Sequence, residues 1–168
     1  MLSTKTKIFF WQFDDQELTD PELIDKLLLS LCSNSGISYP HFKLHLLVSE
    51  LISNAIDHGV LALHSRLKYS SEGFEDYLIE RSRRLGESVS GRISFSAEWT
   101  ENKLLRICVQ DSGAGFDFTA YSDKCKADDV CAVSLHGRGL VIVNSLCQSV
   151  THLGNGNTVV VEFDPSAD

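Results

Sequence analysis

The chain has 168 residues, 43% of them hydrophobic, with a formal net charge of −8 and a pI of about 5.2. That length supports one folded domain over residues 1–168 with a core of its own, and three prolines and eleven glycines exclude a fibrous or disordered composition. The acidic balance excludes nucleic acid or an anionic membrane as the main partner, because either needs a concentrated basic face.

The first residues, MLSTKTKIFFWQFDD, hold an apolar run too short for a signal peptide or a membrane span. A soluble, cytoplasmic chain is therefore expected. KIFFWQF (7–13) is aromatic and strand-like. Thr19 or Asp20 stands where a helix cap is needed, with Pro21 in the first turn and the helix running to about Cys32. SNSGISYP breaks it, and a second helix runs from Pro40 to His58, in which Leu44, Leu47, Val48, Leu51, Ile52 and Ala55 share a face at a 3.6-residue period. Glu50 and Asn54 lie one turn apart on the border of that face.

Residues 60–91 read as an insertion with a helix around EGFEDYLIERSRRL, expected at the periphery of any site, where deleting residues 70–86 spares ligand binding at a cost to partner recognition. Its arginines, in ERSRRL (80–85), are the only basic cluster and read as a solvated helix face. GRISFSAEWT and NKLLRICVQD alternate in a two-residue period around ENK, which predicts an antiparallel hairpin. DSGAGF comes directly after, then an acidic, aperiodic stretch at 117–135. HGRGLVIVNSLC is a glycine-rich entry into a helix, and SVTHL, GNGN and TVVVEF form a closing hairpin. The order predicts an α/β (α+β) two-layer sandwich, with helices on one face of a mixed, mostly antiparallel sheet. Trp11 and Trp99 belong to the sheet's core face or its edge. Five cysteines without a CxxC spacing suggest neither a disulfide framework nor a zinc site and fit a reducing cytoplasm.

Three polar signals fall where elements end or turn: Glu50 with Asn54, Asp111 with Gly113 and Gly115, and Gly137-Arg138-Gly139. Alone, each has an ordinary structural explanation, as a helix-surface pair, a turn and a loop. In this order their chemistries complement one another as a nucleotide site. The Asn54 carbonyl is a hard oxygen donor suited to one position on Mg²⁺. Glu50 can order or deprotonate a hydroxyl. A buried Asp111 can accept from the exocyclic amino group of adenine, where guanine carries an oxygen. Gly113 and Gly115 let backbone approach a base. Gly137 and Gly139 leave helix N-terminal N–H groups free for phosphate.

These segments resemble the motifs of the GHKL ATPase superfamily shared by gyrase, the heat-shock chaperones, histidine kinases and mismatch-repair proteins. ELISNAIDHG, DSGAGF, HGRGLVIV and the late GNT are similar, in order, to its four motifs over about residues 7–163. The nearer likeness is to the anti-sigma factor serine/threonine kinases, in the form fused to response-regulator phosphatases. The resemblance implies the superfamily's Bergerat-type ATP-binding fold, ATP and Mg²⁺ as cofactors, and an ATP lid at about 117–135. It implies Glu50 as catalytic base, Asn54 as magnesium ligand and Asp111 as adenine ligand. Gly113 and Gly115 then approach the base, Thr158 supports Asp111, and His136, Gly137, Arg138, Gly139 and Leu140 border the phosphates.

The function implied is a serine/threonine protein kinase of a bacterial partner-switching pathway that phosphorylates a small anti-sigma factor antagonist. One alternative is a nucleotide-gated module that sequesters a sigma factor or other regulator without phosphorylating it. The other, the catalytic domain of a histidine kinase, is disfavoured because no helical pair carries a phosphoacceptor histidine, and His41 and His45 lie in the nucleotide-site helix. Gyrase-like ATPases need transducer domains that this length does not hold. A homodimer stays open. His58 is expected to cap or pack, and Cys125 and Cys131 to be incidental.

Overall fold

The computed structural model describes residues 9–14, 16–63, 73–87, 90–115 and 138–167. In chain order these form β1 (Phe9–Phe13), a 3₁₀ turn (Glu17–Thr19), α1 (Leu23–Ser35), α2 (Phe42–Asn54), a π-helical turn (Ala55–Val60) and α3 (Gly73–Gly86). Next come β2 (Ile93–Trp99), β3 (Leu105–Asp111), α4 (Arg138–Leu146), β4 (Cys147–Leu153) and β5 (Thr158–Phe163). The strands make one sheet in the order β1-β2-β3-β5-β4, and all four pairings among the described residues are antiparallel. β3 and β4 run the same way but β5 lies between them, so the connection through α4 creates no parallel pair. The architecture is the expected α+β sandwich, with an open antiparallel sheet.

The two-residue period explains which face of the sheet is covered. Leu105, Ile107 and Val109 of β3 are buried while Arg106 and Gln110 are exposed, and Ile93, Phe95 and Ala97 of β2 join the same core. Onto that face α2 lays Leu44, Leu47, Val48, Leu51 and Ile52, and α1 lays Leu23, Leu27, Leu28, Leu31 and Cys32. Each such side chain contributes about 1.5–3 kcal/mol by leaving water. The outer face carries a ladder in which Arg106 donates to Glu98 (3.1 Å) and Glu162 (2.8 Å). Trp11 and Trp99 are half-buried against the core, and the Trp99 indole N–H donates to the Ser35 carbonyl (3.0 Å), tying β2 to the end of α1.

Helix boundaries differ from expectation where caps compete. Asp20 accepts from the backbone N–H of Glu22 (2.9 Å) and so closes the turn before α1, which begins only at Leu23. α1 passes Cys32 and stops at Gly36, whose φ of 79° places it in the left-handed region. α2 starts at Phe42 because the His41 ring caps it, Nδ1 accepting from the Leu44 N–H (3.2 Å) while Nε2 donates to the Pro165 carbonyl (3.0 Å). At the other end the helix does not continue to His58 as α. It widens after Asn54, and the Leu61 N–H bonds the Ile56 carbonyl five residues back (2.8 Å).

The basic stretch at 80–85 is divided, not uniformly solvated. Arg83 is exposed and pairs with Glu80 (2.8 Å) and Glu87 along α3, whereas Arg81 and Arg84 turn inward onto the π-helical turn. Cys32, Cys108 and Cys147 are free thiols, and Cys125 and Cys131 lie outside the described residues. Among the described residues no helix is long and apolar enough to cross a membrane. Leu47, fully buried at the centre of the helix layer, tests the packing: Leu47→Ala is expected to destabilise the domain by about 2–5 kcal/mol, read as a lowered urea midpoint at unchanged slope.

Candidate functional site

The i, i+4 spacing on α2 sets Glu50 and Asn54 side by side, and the first turn of α4 lies directly over them. A methyl group in place of a Gly139 hydrogen would stand 2.5 Å from Glu50 Oε2 and 3.4 Å from Asn54 Nδ2. A side chain at 139 would have to push the Glu50 carboxylate aside. The carboxylate and carboxamide therefore face the first described turn of a helix, and the N-terminal side of a helix favours negative charge. Two oxygen-bearing side chains at such a terminus form a hard donor pair, suited to a cation whose remaining positions are filled by phosphate and water. Among the described residues no group of three or more His, Cys, Asp or Glu side chains could hold a metal ion.

Asp111 is the next member of the core-facing series Leu105, Ile107, Val109, so the strand period turns its carboxylate toward the helix layer. There it meets the π-helical turn: a methyl group on Gly59 would stand 2.5 Å from Asp111 Oδ1. Burial pushes the Asp111 carboxyl above the usual aspartate range, and the Gly113 N–H, which donates to Oδ1 at 2.8 Å, opposes that rise in part. A methyl group on Gly113 would itself come within 2.8 Å of the same oxygen.

The loop after β3 is held from several sides. The Ser112 N–H donates to the Arg92 carbonyl (3.0 Å), and the Ser112 hydroxyl accepts from the Arg92 N–H (2.9 Å). Asn155 donates to the Ala114 carbonyl (2.6 Å) beside Gly115, whose φ of 78° needs glycine. Asn157 brackets the Asp111 backbone: its side-chain amide donates to the Asp111 carbonyl (3.1 Å) and its own carbonyl accepts from the Asp111 N–H (3.0 Å).

Glu50, Asn54 and Gly139 are thus brought together at one place, and Asp111 with Gly113 at another. α2 and its π-helical extension join the two. Thr158 sits opposite Gln110 in the sheet, and its hydroxyl donates to Asn157 Oδ1 (3.4 Å). It reaches Asp111 through Asn157. Leu140 is half-buried in the first turn of α4, which also contains Arg138. His136, Gly137 and the lid expected at 117–135 lie outside the described residues. His58 is exposed, with Nδ1 2.7 Å from the Leu63 carbonyl.

Two members of the site are not evident in the sequence. Gly59 looks like an ordinary helix stop and Asn157 like one residue of a GNGN turn. The available signal was position: Gly59 lies one wide turn beyond Asn54, and Asn157 immediately precedes the strand that pairs with β3.

An α+β sandwich of this topology, with polar side chains gathered along the last turns of α2 and its π-helical extension, belongs to the class of histidine kinase-like ATP-binding domains. Residues 15–163 match the histidine kinase-like ATPase domain family, and the chain is a member of that family. No curated protein and no solved structure matches it.

The raised Asp111 carboxyl has a consequence for stability. Below the ordinary value of 3.8 the group is neutral in folded and unfolded chains alike. The stability contributed by its neutral form is fully present there and is lost as pH rises through the elevated native value. At pH 7 the folded chain therefore carries a disfavoured half-buried charge. Asp111→Asn removes that charge and keeps an oxygen for the Gly113 N–H. The variant should melt higher than the parent at pH 7, with the difference shrinking as pH falls toward 3.8. Thermal unfolding at the two pH values checks this.

Proposed function

We propose that this domain is an ATP- and Mg²⁺-dependent serine/threonine protein kinase of a bacterial partner-switching pathway, phosphorylating a small anti-sigma factor antagonist. The observation that supports it is the arrangement along α2 and its π-helical turn: Glu50 and Asn54 beneath Gly139 at one end, Gly59 against Asp111 at the other. Nine residues separate Glu50 from Gly59, roughly 13 Å at 1.5 Å per residue. That span suits an extended nucleoside triphosphate, with adenine at Asp111 and phosphates at the first turn of α4.

In this reading Asp111 accepts a hydrogen bond from the adenine amino group, while Gly113 and Gly115 admit the base and Thr158 acts through Asn157. Gly137, Arg138, Gly139 and Leu140, with His136 before them, border the phosphates. Asn54 holds Mg²⁺, which when bound neutralises phosphate charge. Glu50 takes the proton of the partner's serine hydroxyl as its oxygen attacks the γ-phosphorus in line. The new Ser–O–P bond forms as the bond from that phosphorus to the β,γ-bridging oxygen breaks, and ADP leaves. Positioning and charge neutralisation supply most of the acceleration, and a placed base adds about 10²–10⁴.

A half-buried carboxylate facing the guanine oxygen would lose a charged hydrogen bond worth about 1.5–3 kcal/mol. Calorimetry should therefore find ATP bound about 10- to 100-fold more tightly than GTP, and equal affinities would refute the adenine assignment. Asp111→Asn should weaken ATP binding even as it raises the melting temperature.

Glu50→Gln separates the kinase from a module that only sequesters a regulator. The amide preserves size and one acceptor oxygen, so nucleotide affinity should stay near that of the parent while phosphotransfer falls by about 10²–10⁴. The measurement is phosphoserine on candidate antagonist proteins incubated with Mg-ATP, read by mass spectrometry. A variant as fast as the parent removes Glu50 from the chemistry. Partner binding with no phosphoserine formed by the parent would favour the sequestering module.

A further inference from the structure

We propose that helix α3 of the insertion is a working part of the nucleotide site, and that Asp57, Tyr77 and Arg81 form a positioning cluster holding Gly59 against Asp111. The inference rests on the adenine role proposed for Asp111. Asp57 lies in the π-helical turn and is only 5% exposed. Its carboxylate accepts from the Tyr77 hydroxyl and from Arg81 Nε (2.7 Å), both on α3. A third α3 side chain, Arg84, donates to the carbonyls of Leu61 (2.5 Å) and Ala62 (3.1 Å) where the turn ends. Val60 is wedged against Gly91, where a methyl group would stand 2.9 Å from Val60 Cγ2.

The turn is therefore gripped on one side by α3 and presses on Asp111 with the other. Asp57, the gripped residue, and Gly59, the pressing one, have only His58 between them. A π-helical turn is intrinsically poorer than an α-turn and persists where its surroundings require it. Here the surroundings are β2 and β3 on one side and the Tyr77, Arg81 and Arg84 side chains of α3 on the other. Removing either donor withdraws part of the compensation of a buried carboxylate, and the turn is then relieved by swinging Asp57 outward. That movement would carry Gly59 off Asp111 and alter the space into which adenine fits. Arg81 and Tyr77 touch no nucleotide in this arrangement. They act through Asp57 and are positioning residues.

The test measures ADP affinity of the whole chain by calorimetry, at a temperature where each variant is folded, together with hydrogen exchange of the parent with and without ADP. Tyr77→Phe and Arg81→Gln should weaken ADP by about 5- to 150-fold, the range of ordinary coupling between sites. Arg81→Lys should recover part of the loss. Arg83→Gln, the same charge change on the solvent side of α3, should leave affinity unchanged. A purely structural role would lower melting temperature in the first two variants and leave the affinity of the folded protein alone.

In the parent, ADP should slow exchange across residues 73–86 as well as at 55–60 and 105–115, a readout that survives if the variants fail to fold. Protection confined to 50–60 and 105–115, or affinities of the variants within twofold of the parent, overturns the inference while sparing the nucleotide reading. A parent that binds no ADP overturns both.

Discussion

The close approach of Gly59 to Asp111 is the constraint on which the rest of the site depends. A carboxylate turned into the helix layer at the end of a core strand would ordinarily be crowded out by whatever side chain lay above it. The absence of a side chain at Gly59 leaves its oxygen room, since a methyl group there would fall only 2.5 Å away. The strand contributes the direction, through the alternation that makes Leu105, Ile107, Val109 and Asp111 a single series. The widened turn after Asn54 contributes the position, because the wider winding changes which residues the chain presents to the sheet. Asp57 becomes buried and Gly59 meets β3.

Charge is distributed along the site in a way that fits its two ends. At the α4 end the carboxylate of Glu50 faces the first described turn of a helix, whose N-terminal side favours anions, so a second anionic group brought there would compete for the same field and a cation would relieve the repulsion. At the Asp111 end the carboxyl is raised by burial and partly compensated by the backbone N–H groups of Gly113 and of Asp111 itself. A group left incompletely satisfied in this way costs stability, and such costs are typical of residues retained for binding. The scaffold that offsets them is ordinary: a sheet face and two amphipathic helices burying leucine, isoleucine, valine and phenylalanine.

The insertion changes character once its side chains are placed. In sequence it is an acidic and basic amphipathic stretch of the kind that usually lies in solvent. In the structure Arg83 and Glu80 keep that role, while Tyr77, Arg81 and Arg84 are turned toward residues 57–62. Charged residues bury only with partners. The buried Asp57 and the inward Arg81 account for one another, and neither is intelligible from its own segment.

Local pattern is written into the chain, and its direct consequences are legible there: the β2–β3 hairpin from the two-residue alternation, the first strand from its aromatic composition, α1 from its cap and first-turn proline, α2 from the 3.6-residue stripe, the closing hairpin around GNGN, and the pairing of Glu50 with Asn54 from their spacing of four. The helix-facing direction of Asp111 comes from the same alternation once β3 is recognised. Contacts between segments were settled only by packing. The π-helical turn shows no distinct pattern in AIDHGV, because the widening answers to the neighbours of that turn and not to its own propensities. Gly59 and Asn157 acquire their importance from a strand 40 or more residues away in sequence, and Arg81 from a carboxylate 24 residues before it. Side-chain spacing within one element is a property of the backbone's own geometry. Which residues of different elements touch depends on how the hydrophobic faces seat against each other, and that is decided only when the whole core closes.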